Sequence, residues 1–379
     1  MTDSDTSTPI LPRDILYLII EHAAKDVATL FKLCLVCRAL LHQAQRVLYT
    51  DISLVDTGHD LDGGAPGKKI TMFRFFDTVT THSTLAQYVR SFSYHGRELW
   101  FGWWQRMNWA LQSMIHLRSF ALEGSQVPVA TVLFKGCTFQ LREFTWKHLH
   151  LQIRPPPEEQ SLRDFLSTQN EIRFLSTSFM STRVLPIVCP SLNTLVGDTH
   201  TIMKVLPDRE TVTKLIWVAQ WESVFDINVI SSALSHVRTL SLEGHVPPRA
   251  SLATYVPYLG GLQRLQLIDN VPPTTLGEEL EHIASLPRLR IFTWSPSQLY
   301  QSEYRDLIPN EQQRALVTRW FQAISSFQTA YFARCSPKED PNCYLRWTRD
   351  GAEAHVTFDE MIRDVDIDLR PLKPFTHPS

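Results

Sequence analysis

From residue 89 to residue 294 the chain repeats one hydrophobic figure, an apolar residue followed by two more, three and five positions later. It stands at Val89-Phe92-Tyr94, Leu117-Phe120-Leu122, Leu141-Phe144-Trp146, Val212-Leu215-Trp217, Val237-Leu240-Leu242, Leu262-Leu265-Leu267 and Leu289-Phe292-Trp294, with weaker copies at Ile172-Leu175 and Leu192-Leu195. The last two apolar positions are two apart, so a short strand turns both inward while the residues between them face the other side. Amphipathic stretches between the figures, such as 276–286, supply outer helices, and Pro190, Pro257 and Pro287 end them ahead of the next strand. Units recurring about every 25 residues bury their strands by stacking on their neighbours, which predicts a solenoid of short parallel strands with outer helices.

The first fifty residues follow a different period. Ile15, Leu16, Ile19, Ile20 and Ala23 fall at helical spacings after Pro12, which suits a first turn, and the pattern breaks at Lys25-Asp26. Asp26 is a predicted N-cap for a second helical run in which Leu30, Leu33, Cys34, Cys37, Leu41, Ala44 and Leu48 keep one face apolar, widened by Leu35, Val36 and Leu40. A helical hairpin or trio this small has little core of its own, so apolar surface left exposed on it reads as a docking face. Residues 1–9 read as a disordered leader, 10–54 as the helical module, 55–70 as a linker around the glycine-rich stretch 57–69, 71–306 as the solenoid and 307–379 as a last repeat and cap. The cap holds a helix over 308–327 and strands at 344–347 and 354–358 separated by Asp350-Gly351.

Composition narrows the function. With 37 basic against 39 acidic side chains, net charge gives no support to nucleic-acid binding, and no apolar run approaches the length of a membrane span, so an intracellular protein is expected. The six cysteines are scattered, and Cys34-x-x-Cys37 has no second pair at zinc-like distance, so reduced core thiols and no metal or cofactor are expected. There is no H-E-x-x-H, no G-x-S-x-G and no complete phosphate loop, since Lys68 is followed by Lys69; nothing points to catalysis by this chain. In the densest aromatic segment, Trp100, Trp104, Met107 and Leu111 share a helical face that packs on the early repeats, leaving Trp103 as a candidate aromatic contact.

Leu11-Pro12, Ile15-Leu16, Leu30 and Leu35-Val36-Cys37-Arg38 resemble the F-box, in particular the F-box-like modules of fungal F-box/leucine-rich-repeat proteins, and the 25-residue period resembles leucine-rich repeats. Only the copy at Leu262 carries the Asn, Asn270, that regular repeats use at the turn, so an irregular solenoid is expected. The implied fold class is α/β, with an N-terminal helical F-box module, an irregular leucine-rich-repeat-like solenoid and a C-terminal cap. The resemblance also implies a substrate-recognition subunit of a cullin-RING ubiquitin ligase that docks on a Skp-type adaptor through Leu11, Pro12, Ile15, Leu16, Val36 and Leu40. The family commonly has Trp where this chain has Leu40. The alternation places Glu123, Glu143, Lys147, Lys214, Glu243, Arg264 and Gln266 on the concave face as substrate contacts, a mixture that suits an unknown protein target. The alternative is a repeat scaffold whose helical N-terminus only caps the solenoid.

Overall fold

The computed structural model describes residues 12–55, 67–96, 101–124, 130–148, 156–177, 189–219, 226–244, 252–268, 280–295, 308–333, 343–351 and 353–365. The expected leader, residues 56–66 of the linker, Leu11, Trp100 and Asn270 lie outside them. The chain divides into two compact units, Met1–Arg173 and Phe174–Ser379.

Unit 1 opens with three helices, α1 (Arg13–Ala23), α2 (Val27–Leu33) and α3 (Arg38–Thr50). Asp26 caps α2 as its sequence predicts, accepting from the Thr29 backbone N–H at 3.1 Å and from the Thr29 hydroxyl at 2.6 Å. Ile20, Ala23, Leu30, Leu40 and Ala44 close into a small core, with Leu16, Leu33 and Val47 packed against it. The chain then runs straight from α3 into β1 (Asp51–Val55), a strand that the repeated figure does not anticipate. A helix, α4 (Gly67–Thr81), already begins inside the stretch read as a loop, and α5 (Ser83–Ala86) follows it.

β1 pairs in parallel with β2 (Ser91–Gly96), β2 with β3 (Ser119–Gly124) and β3 with β4 (Glu143–His148). Between them stand α6 (Phe101–Ser113) and α7 (Ala130–Leu133), and α8 (Pro156–Ser167) follows β4. The register aligns Phe92, Phe120 and Phe144, whose rings stack with centroids 5.9 and 6.0 Å apart along the ladder. Stacked aromatics at the strand spacing add attraction beyond their buried area, which fixes the repeat register where consensus turn residues are missing. Phe134, at the end of α7, stacks on Phe165 of α8 at 3.9 Å, so the outer layer closes on the same core.

Unit 2 continues the pattern with parallel strands β5 (Phe174–Thr177), β6 (Thr194–Asp198), β7 (Lys214–Ala219), β8 (Thr239–Gly244), β9 (Arg264–Ile268), β10 (Ile291–Ser295) and β11 (Thr329–Ala333). Outer pieces α9 (Thr199–Val205), α10 (Ser231–Leu234) and α11 (Leu252–Tyr255) alternate with 3₁₀ turns, and the longer α12 (Asn310–Ala323) precedes β11. Then the direction reverses: β12 (Cys343–Thr348) and β13 (Glu353–Thr357) add antiparallel, turning at Gly351 with φ +79°, before the final helix α13 (Phe358–Val365). Trp320 of α12 is fully buried, edge-on to Phe292 at 5.1 Å and stacked on Phe332 at 6.3 Å. Each unit is a leucine-rich-repeat-like ladder: parallel strands, one face covered by helical turns, the other facing away from them.

Candidate functional site

The helical module carries an unusual amount of exposed apolar surface. Ile15, Leu18 and Ile19, at helical spacing on one side of α1, are 43%, 59% and 39% exposed. Val27 and Phe31 on α2 and Leu35 and Val36 in the turn before α3 are 62–75% exposed. These side chains are at or beside positions that the F-box resemblance implies as adaptor contacts: Pro12, Ile15 and Val36 are exposed and Leu16 is half-buried. Leu40 is a correction. It is 6% exposed, because α3 turns Leu40 and Ala44, four residues apart, onto Ile20 and Leu30, so it holds the module together and offers no surface. Sequence periodicity underweighted Leu18 and Phe31, which extend the same apolar surface.

On unit 1 the strand face away from the helices carries a charged row. Register aligns His95, Glu123 and Lys147 across β2, β3 and β4. Glu123 Oε2 is 3.2 Å from His95 Nδ1 and its Oε1 is 3.6 Å from Lys147 Nζ, with the carboxylate side chain 11% exposed. Burial pushes the Glu123 carboxyl upward, and the His95 hydrogen bond with the Lys147 charge outweighs it, so the group ionises below the ordinary carboxylate value. Glu123 is therefore committed to its neighbours, while Glu143, accepting from the Ser119 hydroxyl at 3.0 Å, is exposed. Trp103 is a second correction. It is 4% exposed, edge-on to Phe73 and Phe76 at 5.0 and 5.1 Å, so α6 turns it inward rather than presenting it to a partner.

On unit 2 the corresponding face keeps Lys214, Glu243 and Arg264 partly exposed. Gln266 is a third correction: it lies in the middle row of the face and is 4% exposed. Asp198, which caps α9 through a 2.7 Å bond from the Thr201 N–H, is buried enough that its carboxyl ionises above the usual range. Burial likewise pushes the Cys137 thiol up to about 12 and the Cys189 thiol up to about 11, which makes both poor nucleophiles. Among the described residues no group of three or more His, Cys, Asp or Glu side chains is arranged to hold a metal, and no helix is long and apolar enough to cross a membrane.

No protein-family model matches the chain, and no curated protein matches it. Among solved structures it is similar to the leucine-rich repeat-containing protein LegL7 from Legionella pneumophila, with a TM-score of 0.43 and 14% identity, over 83% of this chain and 97% of that one.

Proposed function

We propose that this protein is a non-catalytic substrate receptor of a cullin-RING ubiquitin ligase, with the helical module docking on a Skp-type adaptor and the repeat faces holding a protein target for ubiquitin-dependent degradation. The observation that carries the reading is the exposed apolar surface of α1, α2 and the turn before α3. Eight side chains there, Ile15, Tyr17, Leu18, Ile19, Val27, Phe31, Leu35 and Val36, are each between 39% and 75% exposed. Covering them releases roughly 7–14 kcal/mol of gross transfer free energy, at ~1.5–3 kcal/mol for a side chain buried from full exposure. Association itself costs ~4–15 kcal/mol, so an interface built on this surface needs most of these side chains. The contribution of such a receptor is effective concentration of the target near the charged ubiquitin carrier.

A second reading, in which the module only caps the ladder, draws on the direct passage of α3 into β1 and on the ring contact of Tyr49 with Phe75, centroids 6.4 Å apart. Capping uses the side of α3 next to the strands and leaves the α1 and α2 surface without a role. Pull-down of a purified Skp-type adaptor by the full chain separates the two. Binding abolished by Ile15→Asp with Val36→Asp supports the receptor; no binding by the wild-type chain puts the cap first.

A further inference from the structure

At the strand starts of unit 2 the even charge balance of the chain breaks locally. β7 to β10 each carry one basic side chain there: Lys214 and Arg264 are the first residues of β7 and β9, and Arg238 and Arg290 stand immediately before β8 and β10. Register sets Lys214, Thr239, Arg264 and Ile291 in one row across the ladder. The row one residue earlier, Thr213, Arg238, Gln263, Arg290 and Gln328, is tied N–H to carbonyl by bonds of 2.7–2.9 Å. Strands about 4.8 Å apart therefore place the four cations in a zigzag about 14 Å long.

From β6 to β11 neither row holds an acidic residue, in a chain whose 37 basic and 39 acidic side chains give a net charge of -2. Arg238 and Arg290 are exposed, and Lys214 and Arg264 are partly exposed. Among the described residues no carboxylate lies in ion-pair range of Lys214, Arg238 or Arg290, and Arg290 donates to Gln328 Oε1 at 3.2 Å. The carboxylates of this face stand elsewhere: Asp198 and Glu243 are four residues further along their strands, about 13 Å away. Asp208 and Glu210 lie in the turn before β7, with Glu210 Oε1 4.0 Å from His236 Nε2. Unit 1 makes the contrast. Its corresponding row, Arg90, Arg118, Arg142 and Arg173, is also basic, but Glu171 stands 2.9 Å from Arg118 and 3.6 Å from Arg142, and the adjacent row carries Asp51 and Glu143.

We propose that the strand-start edge of unit 2 is a docking stripe for an acidic polypeptide segment, laid across β7 to β10 with its carboxylates on Lys214, Arg238, Arg264 and Arg290. Charge complementarity identifies the occupant. An Arg fork takes a carboxylate through two parallel N–H groups, and cations without an internal counter-ion keep their attraction for one brought from outside. Alternate strands are about 9.6 Å apart, close to the rise of three residues of extended or polyproline chain, so acidic side chains at every third position meet successive cations of one row. Thr213, Thr239 and Gln263, partly exposed between the cations, offer hydroxyl and amide groups to the main chain of the segment. A nucleic acid fits less well: the two rows hold no aromatic side chain on which a base could stack, and a length of about 14 Å meets only a few phosphates. The proposal rests on the target half of the receptor reading and names the chemistry of the target; the adaptor half is separate from it.

The test is fluorescence anisotropy of a fluorescein-labelled oligoglutamate titrated with the full chain, the probe being about twelve residues long so that it spans the stripe at about 3.3 Å per residue. The expected result is saturable binding that weakens as salt screens it. Arg238→Glu with Arg290→Glu is expected to weaken it about tenfold, whereas Arg90→Glu with Arg142→Glu in unit 1 changes it by no more than about twofold. Thermal midpoints report that the variants are folded; should the charge reversals in unit 2 unfold it, Arg238→Gln with Arg290→Gln decides, with a smaller loss in the same direction. Adaptor pull-down by the same chains keeps the two readings apart. A chain that binds adaptor and ignores oligoglutamate overturns the stripe alone, and one that binds oligoglutamate through the stripe without binding adaptor supports the stripe and overturns the receptor. Equal losses from the unit 1 and unit 2 pairs overturn the proposal. Tighter binding of an oligouridylate of the same length, abolished by the unit 2 pair, overturns it as well and assigns the stripe to nucleic acid.

Discussion

Glu123 shows how a charged side chain comes to serve the fold rather than a ligand. Its carboxylate is mostly buried between His95 and Lys147, and its ionisation lies below the ordinary range. A carboxyl with a depressed folded value contributes stability that is complete above its unfolded pKa, about 4.3, and lost as pH falls through the folded value. Glu123→Gln is expected to cost about 1–3 kcal/mol at neutral pH and to flatten the stability profile below about pH 4, measured by urea unfolding across pH. Asp198 has the opposite sign. Its folded value is raised by burial, so stability falls as pH rises from the unfolded value through the folded one. Asp198→Asn keeps an N-cap acceptor and removes the buried charge, so it is expected to be neutral or stabilising at pH 7, whereas Asp198→Ala loses the cap and about 1 kcal/mol. Gly197, beside it, is fixed by close approach: a Cβ there would sit 2.6 Å from Thr201 Cγ2 and 3.0 Å from the Thr177 carbonyl oxygen.

At the scale of elements, the figure of apolar residues located β2 to β10 because each strand needs two inward side chains two apart, a demand the sequence displays directly. It missed β11, where Phe327, Ala330 and Phe332 occupy the same positions with a small residue in the middle. Ala330 is fully buried there, and Trp320 of α12 packs on Phe327 and Phe332 with centroids 5.7 and 6.3 Å apart, a contribution from outside the strand that local pattern does not display. Trp320→Ala is therefore expected to cost about 3–5 kcal/mol and to lower the thermal midpoint more than any surface change on α12. The site residues were less legible for a related reason. Strand alternation tells which side a residue faces but not whether that side is covered, so it does not display the burial of Gln266; helical periodicity tolerates a shift of one residue, so it does not separate Trp103 from Trp104. Leu40 stands where the family commonly has Trp, and the three-helix packing requires it inside.

The whole molecule joins a small helical module, with half its apolar side chains outside, to two ladder units with buried cores. That imbalance is what separates the module from the rest: the repeats stack their strands on each other, whereas α1 and α2 leave Leu18, Phe31 and Leu35 more than half exposed. Asp26→Ala, which removes the α2 cap, is expected to lower stability by about 1 kcal/mol and to loosen this surface before the ladders are affected, seen as faster amide exchange confined to residues 13–50. Calorimetric titration of the full chain with a purified Skp-type adaptor tests the central claim most directly. The account predicts saturable one-to-one binding with a negative heat-capacity change from apolar burial. It also predicts that Ile15→Asp with Leu18→Asp and Val36→Asp abolishes binding while the thermal midpoint stays unchanged. Absence of binding by the wild-type chain, or binding that survives those substitutions, would contradict it.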